Sequence, residues 1–145
     1  MIKVKEILDG KGHSFFSVKP ENTVFEALEK MAEKDVGAIM VIDNGKLVGV
    51  FSERDYARKI VLHGFASKNS KVGDFMTKEL LYVHPDTSIL DCMALMTNKR
   101  VRHLPVLEND KIEGVISIGD VVNFIIHQQN VTIKDLENYI YGGRM

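Results

Sequence analysis

Two short segments of this chain carry the same polar pattern, Gly-Val-x-Ser-x-x-Asp, and one ends at Asp55 and the other at Asp120. In each, an apolar run typical of a strand precedes the serine, so the serine and the aspartate fall where a helix begins. Backbone N–H groups at such a helix start attract anions. A carboxylate in the first turn can accept hydrogen bonds from the paired hydroxyls of a ribose. Each motif taken alone also fits a Ser-x-x-Asp capping box, which is the commoner meaning of such a pattern.

Cationic side chains lie close to both motifs in the sequence. Arg54 lies inside the first motif, and Arg102 and His103 precede an apolar run in the second half of the chain. The equivalent positions in the first half are the small residues Gly37 and Ala38. One half therefore offers cations suited to a phosphate, and the other offers space and accessible backbone.

Both motifs belong to a longer internal repeat. Residues 18–55 align without a gap to residues 83–120, and 12 of the 38 aligned pairs are identical. Unrelated sequences of ordinary composition would share roughly two. Tandem units of this size usually bury their cores against each other, so a cleft is expected where they meet. Two matched motifs beside that cleft favour ligand binding over capping alone.

The pattern within each copy predicts the order β-α-β-β-α, and hence an α/β (α+β) fold. Short first strands are predicted at residues 14–19 and 80–84. Thr23 and Ser88 are the expected N-caps of the first helices, Asn44 and Gly45 predict a tight turn between the next two strands, and the second helices are expected at 54–63 and 120–127.

Two further segments are assigned outside these elements. The glycines at positions 10 and 12 predict a loop before the first strand. Residues 130–141 predict a separate third helix, with Thr132 and Asp135 as its cap pair and an apolar face that packs on the body more often than on a partner. The chain is thus divided into repeat 1 (1–65), repeat 2 (66–128) and a C-terminal helical tail (129–145).

The composition is that of an ordinary globular protein and excludes several classes of function. A net charge of −1 argues against a nucleic-acid binder that relies on bulk electrostatics. Cys92 is the single cysteine, and the five histidines are scattered, so neither a disulfide nor a zinc-binding spacing is present. No Walker A loop and no Gly-x-Gly-x-x-Gly after a strand occurs. Because these catalytic patterns are missing, a protein without enzymatic activity is expected. With no apolar run suited to a signal peptide or a membrane span, a cytoplasmic protein is expected.

Taken together, the repeat and four local runs resemble the tandem CBS-domain pair, or Bateman module. The runs are SERDYARK at residues 52–59, MALMT at 93–97, RHLPV at 102–106 and SIGDVV at 117–122. They are most similar to small stand-alone CBS-pair proteins of bacteria, with relatives in plant organelles, and the tail at 136–143 fits the same subgroup.

This resemblance implies two clefts between the copies that bind adenosine-containing ligands. AMP is the first candidate, followed by ADP, ATP, NAD(H) and S-adenosylmethionine, with no metal. Asp55 and Asp120 would hold ribose hydroxyls, while Ser52 and Ser117 would contact ribose or phosphate. The remaining expected site residues are Arg54, Arg102 and His103 for phosphate, Phe16, Gly37, Ala38 and Leu81 for adenine, and Thr77 as a weaker candidate.

The resemblance also implies a regulatory role and a homodimer that acts on an unidentified protein. Because Gly119 stands where the first motif has Arg54, the cleft at Asp55 is expected to bind phosphorylated nucleotides better than the cleft at Asp120. The main rival to this role is a constitutive interaction or oligomerisation module with vestigial clefts. Two further candidate functions are an enzyme that acts on the bound nucleotide and a nucleic-acid binder.

Overall fold

The chain builds two small sheets, and helices flank both of them. The structure is a computed structural model that describes residues 2–141, without the side chains of residues 131, 132 and 141. In chain order the elements are α1 (Val4–Lys11), β1 (Ser17–Val18), α2 (Val24–Lys34), β2 (Ala38–Asp43), β3 (Lys46–Ser52), α3 (Glu53–Asp55) continued by a π-helical segment (Tyr56–Val61), a 3₁₀ turn (Ser67–Asn69), α4 (Val72–Phe75), α5 (Ile89–Lys99), β4 (His103–Glu108), β5 (Lys111–Ser117) and α6 (Ile118–Tyr141).

The helix termini repeat at the offset seen in the sequence. Thr23 caps α2 and Ser88 caps α5, each by accepting a hydrogen bond from the backbone N–H three residues later. The last turns also match, because Asp35 and Arg100 both close their helices in the left-handed conformation at φ 55°. The predicted β-α-β-β-α order is confirmed, and the N-cap residues are those expected from the sequence.

The sheets confirm the predicted turns and correct the first strands. β2 pairs antiparallel with β3, and β4 with β5, and both hairpins carry an irregularity at equivalent positions. The first strands are shorter than predicted: β1 has two residues, and the segment at 80–84 contributes a single parallel bridge from Val83 to Val106. One bridge is enough to anchor this segment, because Val83 donates to Pro105 O and accepts from Leu107 N.

The hydrophobic cores show a crossed arrangement of the chain. Val4, Ile7 and Leu8 of α1 are buried in the core of the second repeat, whereas Val72 of α4 is buried in the core of the first. The backbone contacts are symmetric, since Val4 N donates to the carbonyl of residue 87 at 2.8 Å and Val72 N to that of residue 22 at 2.9 Å. The segment before each repeat therefore closes the core of the other one.

Helix α1 corrects the loop predicted around the two glycines. Val4, Ile7 and Leu8 have helical spacing, and their burial stabilises a helix that continues through Gly10 to Lys11. Only Gly12 lies outside it, with a φ of 99° that favours glycine. The domain boundaries at residues 65 and 128 stay predictions.

Helix α6 corrects the separate tail helix. It runs without a break for 24 residues from Ile118 to Tyr141, so no new helix starts near residue 130, and Thr132 lies outside the described side chains. Ile133, Leu136 and Ile140 are more than half exposed and do not pack on the body as expected. The predictions for residues 142–145 lie outside the described residues. Within residues 2–141, no helix combines the length and apolar character that crossing a bilayer requires.

Candidate functional site

The second polar motif forms the start of α6. Ser117 Oγ accepts a hydrogen bond from Asp120 N at 3.0 Å, and Asp120 Oδ2 accepts one from Ser117 N at 2.9 Å. This reciprocal capping fixes the carboxylate in the first helical turn. The strand pairing of His103 with Ser117 places the imidazole beside this turn. Capping and ligand binding are therefore compatible here, because the carboxylate keeps a second oxygen, Oδ1.

The last residue of α1 reaches the same carboxylate. Lys11 Nζ lies 2.6 Å from Asp120 Oδ2 and 2.8 Å from the carbonyl oxygen of Val115, to which it also donates. The crossed packing of α1 on the second repeat makes this contact possible. A segment more than 100 residues away in sequence thus contributes a cation to the motif.

A cleft of about 290 Å³ opens between this motif and the first repeat. Its volume lies near the lower end of the range of small-molecule sites, roughly 300–1,000 Å³. Each repeat contributes three polar residues, and most of the apolar lining comes from the first repeat. The polar lining consists of Lys11, Ser14, Asp35, His103, Ser117 and Asp120, and the apolar lining includes Phe15, Phe16, Val36, Ala38, Ile39, Met40 and Val50.

The charges in the cleft influence one another. Burial raises the pKa of Asp120, but the hydrogen bonds from Lys11 and Ser117 and the Lys11 charge outweigh it and leave that pKa below 3.8. Burial lowers the pKa of His103 below 6.5; the Asp120 charge opposes this effect, and the charges of Lys11 and Arg102 reinforce it. At neutral pH the cleft therefore holds an ionised Asp120 carboxylate and a neutral His103 imidazole.

The first motif has a different environment. Asp55 is only 7% exposed. Its Oδ2 accepts hydrogen bonds from Ser52, and its Oδ1 accepts one from Thr77 Oγ1 at 2.9 Å and lies 3.1 Å from Lys59 Nζ. Thr77 is held there by two backbone hydrogen bonds to Val50. The chain's own groups thus occupy both oxygens of Asp55.

A close approach between β3 and the segment at residues 76–77 maintains this enclosure. A Cβ on Gly49 would lie 2.5 Å from Met76 Sδ and 2.9 Å from the carbonyl oxygen of Thr77, so only glycine permits the contact. The carboxylate of Asp55 is thus enclosed by groups of the chain, whereas Asp120 lines an open cleft. The expectation that the cleft at Asp55 binds phosphorylated nucleotides better stays a prediction.

The structure brings together five of the predicted site residues and separates the others. The five residues in the Asp120 cleft are Phe16, Ala38, His103, Ser117 and Asp120. Ser52, Asp55 and Thr77 form the enclosed cluster around the first motif.

The remaining four predicted residues have other positions. Arg54 donates to the carbonyl oxygen of Arg100 at 3.1 Å, at the end of α5, and its expected role as a phosphate ligand stays a prediction. Gly37 and Arg102 accept equivalent backbone hydrogen bonds from the first residues of α3 and α6. Leu81 packs against the second core.

Sequence reasoning missed Lys11 and the segment that follows it. The cleft is lined by Lys11, Ser14 and Phe15. These residues precede the part of the first copy that aligns without a gap to the second. The sequence did mark this segment as different, because the first copy is about three residues longer here than the second. The contact itself depends on the crossed packing of α1, which the repeat pattern does not reveal.

Comparison with known proteins agrees with the repeat. A sequence model of the CBS domain matches this chain twice, at residues 4–62 and 72–127. The CBS domain-containing protein CBSX3 of Arabidopsis thaliana, which is described as mitochondrial, is 39% identical over 149 residues, which span 97% of this chain and 72% of that protein.

Two solved structures share the fold across most of their length. A protein with CBS domains from Burkholderia ambifaria is 44% identical with a TM-score of 0.84, covering 88% of this chain and 96% of that one. The CBS-domain protein ATU1752 of Agrobacterium tumefaciens is 37% identical with a TM-score of 0.79, covering 83% and 97%. The two family matches, the related sequences and the shared fold show that this chain belongs to the CBS-domain family and carries a tandem CBS pair.

Proposed function

We propose that this chain is a non-catalytic regulatory module that binds an adenosine-containing nucleotide in the cleft at Asp120. AMP is the first candidate, and ADP, ATP, NAD(H) and S-adenosylmethionine are the others. Binding would report energy or redox state to a partner protein. A ligand that touches both repeats favours the arrangement in which the cleft closes around it, and a partner can read that change.

The observation that carries this proposal is that the Ser117–Asp120 motif and a large apolar surface line the same cleft. Asp120 and Ser117 present hydrogen-bonding groups suited to a ribose, while Phe16, Ala38 and Met40 on the opposite wall offer an apolar surface suited to a purine ring. The Ser117–Asp120 motif lies on the second repeat, and the larger apolar surface lies on the first. A ligand with one polar and one flat apolar part fits this arrangement.

A structural neighbour supports the ligand class. The CBS domain pair of protein MJ0100 is described in complex with 5′-methylthioadenosine and S-adenosyl-L-methionine, and it shares the fold at 18% identity with a TM-score of 0.76. A tandem CBS pair can therefore accommodate adenosyl compounds. For this chain the ligand is a proposal that rests on the cleft.

The non-catalytic part of the proposal rests on the reactive groups near the core. Cys92 is buried, and burial raises the pKa of its thiol to about 11, which suppresses the thiolate that a nucleophile needs. In the described residues, no group of three or more His, Cys, Asp or Glu side chains could hold a metal ion. We therefore propose ligand binding without a metal. The cytoplasmic location is a separate proposal that rests on the sequence alone.

We also propose a homodimer, with α6 as the contact. Ile118, Val122, Ile126, Ile133 and Leu136 recur with helical spacing on α6 and are 45–57% exposed. This stripe equally favours the second candidate function, a constitutive oligomerisation module whose clefts are vestigial. The two candidates differ in whether a nucleotide binds.

Thermal unfolding with a panel of ligands tests the proposal. A ligand that binds only the folded state at 100 times its Kd stabilises it by about 2.7 kcal/mol, which is a Tm shift of about 5–10 °C for a chain of this size. We expect AMP or another adenosine nucleotide to give such a shift in wild type and not in Asp120→Ala, with GMP as the control nucleotide. No shift with any adenosine compound at millimolar concentration would favour the constitutive module.

A further inference from the structure

Lys11 is the only lysine or arginine among the described residues that line the cleft. Its ammonium group contacts Asp120 Oδ2 at 2.6 Å and the carbonyl oxygen of Val115 at 2.8 Å. The two side chains are only partly open to water, with 34% of the Lys11 side chain and 23% of the Asp120 side chain exposed. The ion pair thus occupies the carboxylate that the proposed function assigns to the ribose.

A bound ribose has to compete with this ion pair. The hydrogen bonds described for the Asp120 carboxylate, from Lys11 and from Ser117, both end on Oδ2. A vicinal diol that uses both carboxylate oxygens must share or displace the Lys11 contact. A displaced ammonium in a partly buried cleft loses a charged partner, and it regains one only if the ligand itself carries an anion.

Among the described residues that line the cleft, Lys11 is the cation that can meet that anion. Arg54 is held at the end of α5 by its hydrogen bond to Arg100, and His103 is kept neutral by burial. Asp35 also lines the cleft, but it is exposed, so water screens its charge. The four-carbon stem of a lysine lets its ammonium move by several ångströms without a change in the backbone.

We propose that Lys11 exchanges partners on ligand binding, pairing with Asp120 in the empty cleft and with the phosphate of a bound nucleotide in the occupied one. This inference rests on the proposed function and adds the class of ligand: the cleft selects anionic adenosine nucleotides over neutral adenosine and over the cationic sulfonium of S-adenosylmethionine. Every adenosyl ligand binds more weakly because Lys11 must give up its interaction with Asp120. Only a ligand that carries a phosphate regains this affinity, because the phosphate becomes the new partner of Lys11.

Calorimetric titration of AMP, adenosine and S-adenosylmethionine into wild type and Lys11→Met tests this exchange. Methionine keeps much of the apolar stem and removes the charge. We expect the affinity for AMP to fall about 10- to 100-fold, as for the loss of a charge-assisted hydrogen bond. The affinity for adenosine should stay level or rise by up to about fivefold, because the competing ion pair is gone.

Two variants serve as controls. Lys5 lies on the same helix but faces Asp86 outside the cleft, so Lys5→Met should bind every ligand as wild type does. Lys11→Arg should keep the preference for AMP, and thermal unfolding of each variant reports whether it folds.

Each contrary result has a separate meaning. Equal losses for AMP and adenosine in Lys11→Met, or no change in either, would overturn the exchange while leaving the nucleotide-binding function intact. A wild type that binds none of the three compounds would overturn the proposed function as well.

Discussion

Asp55 and Asp120 occupy equivalent positions in the two repeats, and their surroundings differ in the residues that supply partners. Asp55 is enclosed by Thr77 and by Lys59, which follows it by one helical turn. The residue equivalent to Lys59 in the second repeat is Phe124, so Asp120 lacks this local partner and receives Lys11 from a distant helix instead. The cation beside Asp55 therefore comes from the same helical segment, whereas the cation beside Asp120 comes from a separate element.

The titration of His103 reports this arrangement directly. Its pKa is lowered by burial, raised by Asp120, and lowered again by Lys11 and Arg102. We therefore expect NMR to give a pKa below 6.5 in wild type and a higher one in Lys11→Met, with Lys5→Met unchanged. An identical pKa in wild type and Lys11→Met would contradict the placement of the ammonium beside the imidazole.

The lowered pKa of His103 also determines how the stability of the fold changes with pH. The folded pKa of His103 lies below its unfolded value of about 6.5, so the folded state resists protonation. The free energy of unfolding should hence be highest above pH 6.5 and fall as the pH drops through the folded pKa. Replacing His103 with Asn should flatten this part of the pH profile.

At the scale of elements, the sequence predicts local structure well where one residue type dictates it. Side-chain chemistry within a few residues is enough to predict the helix caps Thr23 and Ser88. Backbone sterics are enough to predict the turn with positive φ at Asn44-Gly45. Helix α1 cannot be predicted from its local sequence in this way. Gly10 and Gly12 favour a loop locally, and burial of Ile7 and Leu8 in the other repeat overrides that preference.

The exposed apolar stripe of α6 leads to an expectation about assembly. Ile126→Glu places a charge in the middle of the stripe, and we expect it to weaken self-association about tenfold or more, since a charge would have to be desolvated in the contact. Asn123→Glu adds the same charge on the polar side of the helix and should leave assembly unchanged. Light scattering over a range of concentrations measures both variants.

The contrary outcomes for α6 are equally clear. If wild type is monomeric throughout, or if Ile126→Glu associates as wild type does, α6 is not the contact between copies. The uninterrupted course of this helix could not be inferred from its sequence, because a capping pattern at residues 132–135 and a continuing helix have similar local preferences.

At the scale of the whole molecule, the crossed packing links the two repeats to one cleft. α1 completes the second core and delivers Lys11, while the segment around Val72 and Thr77 completes the first core and covers Asp55. The internal repeat predicted the two-fold relation and a functional seam. It did not predict that one copy of the site would be open and the other enclosed, because that asymmetry depends on residues outside the aligned region.

Calorimetric titration of AMP into wild type, Asp120→Ala and Asp55→Asn tests most directly whether the open cleft is the functional one. We expect one AMP per chain in wild type, a loss of affinity of about tenfold or more in Asp120→Ala, and a Kd within about threefold of wild type in folded Asp55→Asn. AMP binding that survives in Asp120→Ala and is lost in Asp55→Asn would contradict this assignment and place the nucleotide at the first motif.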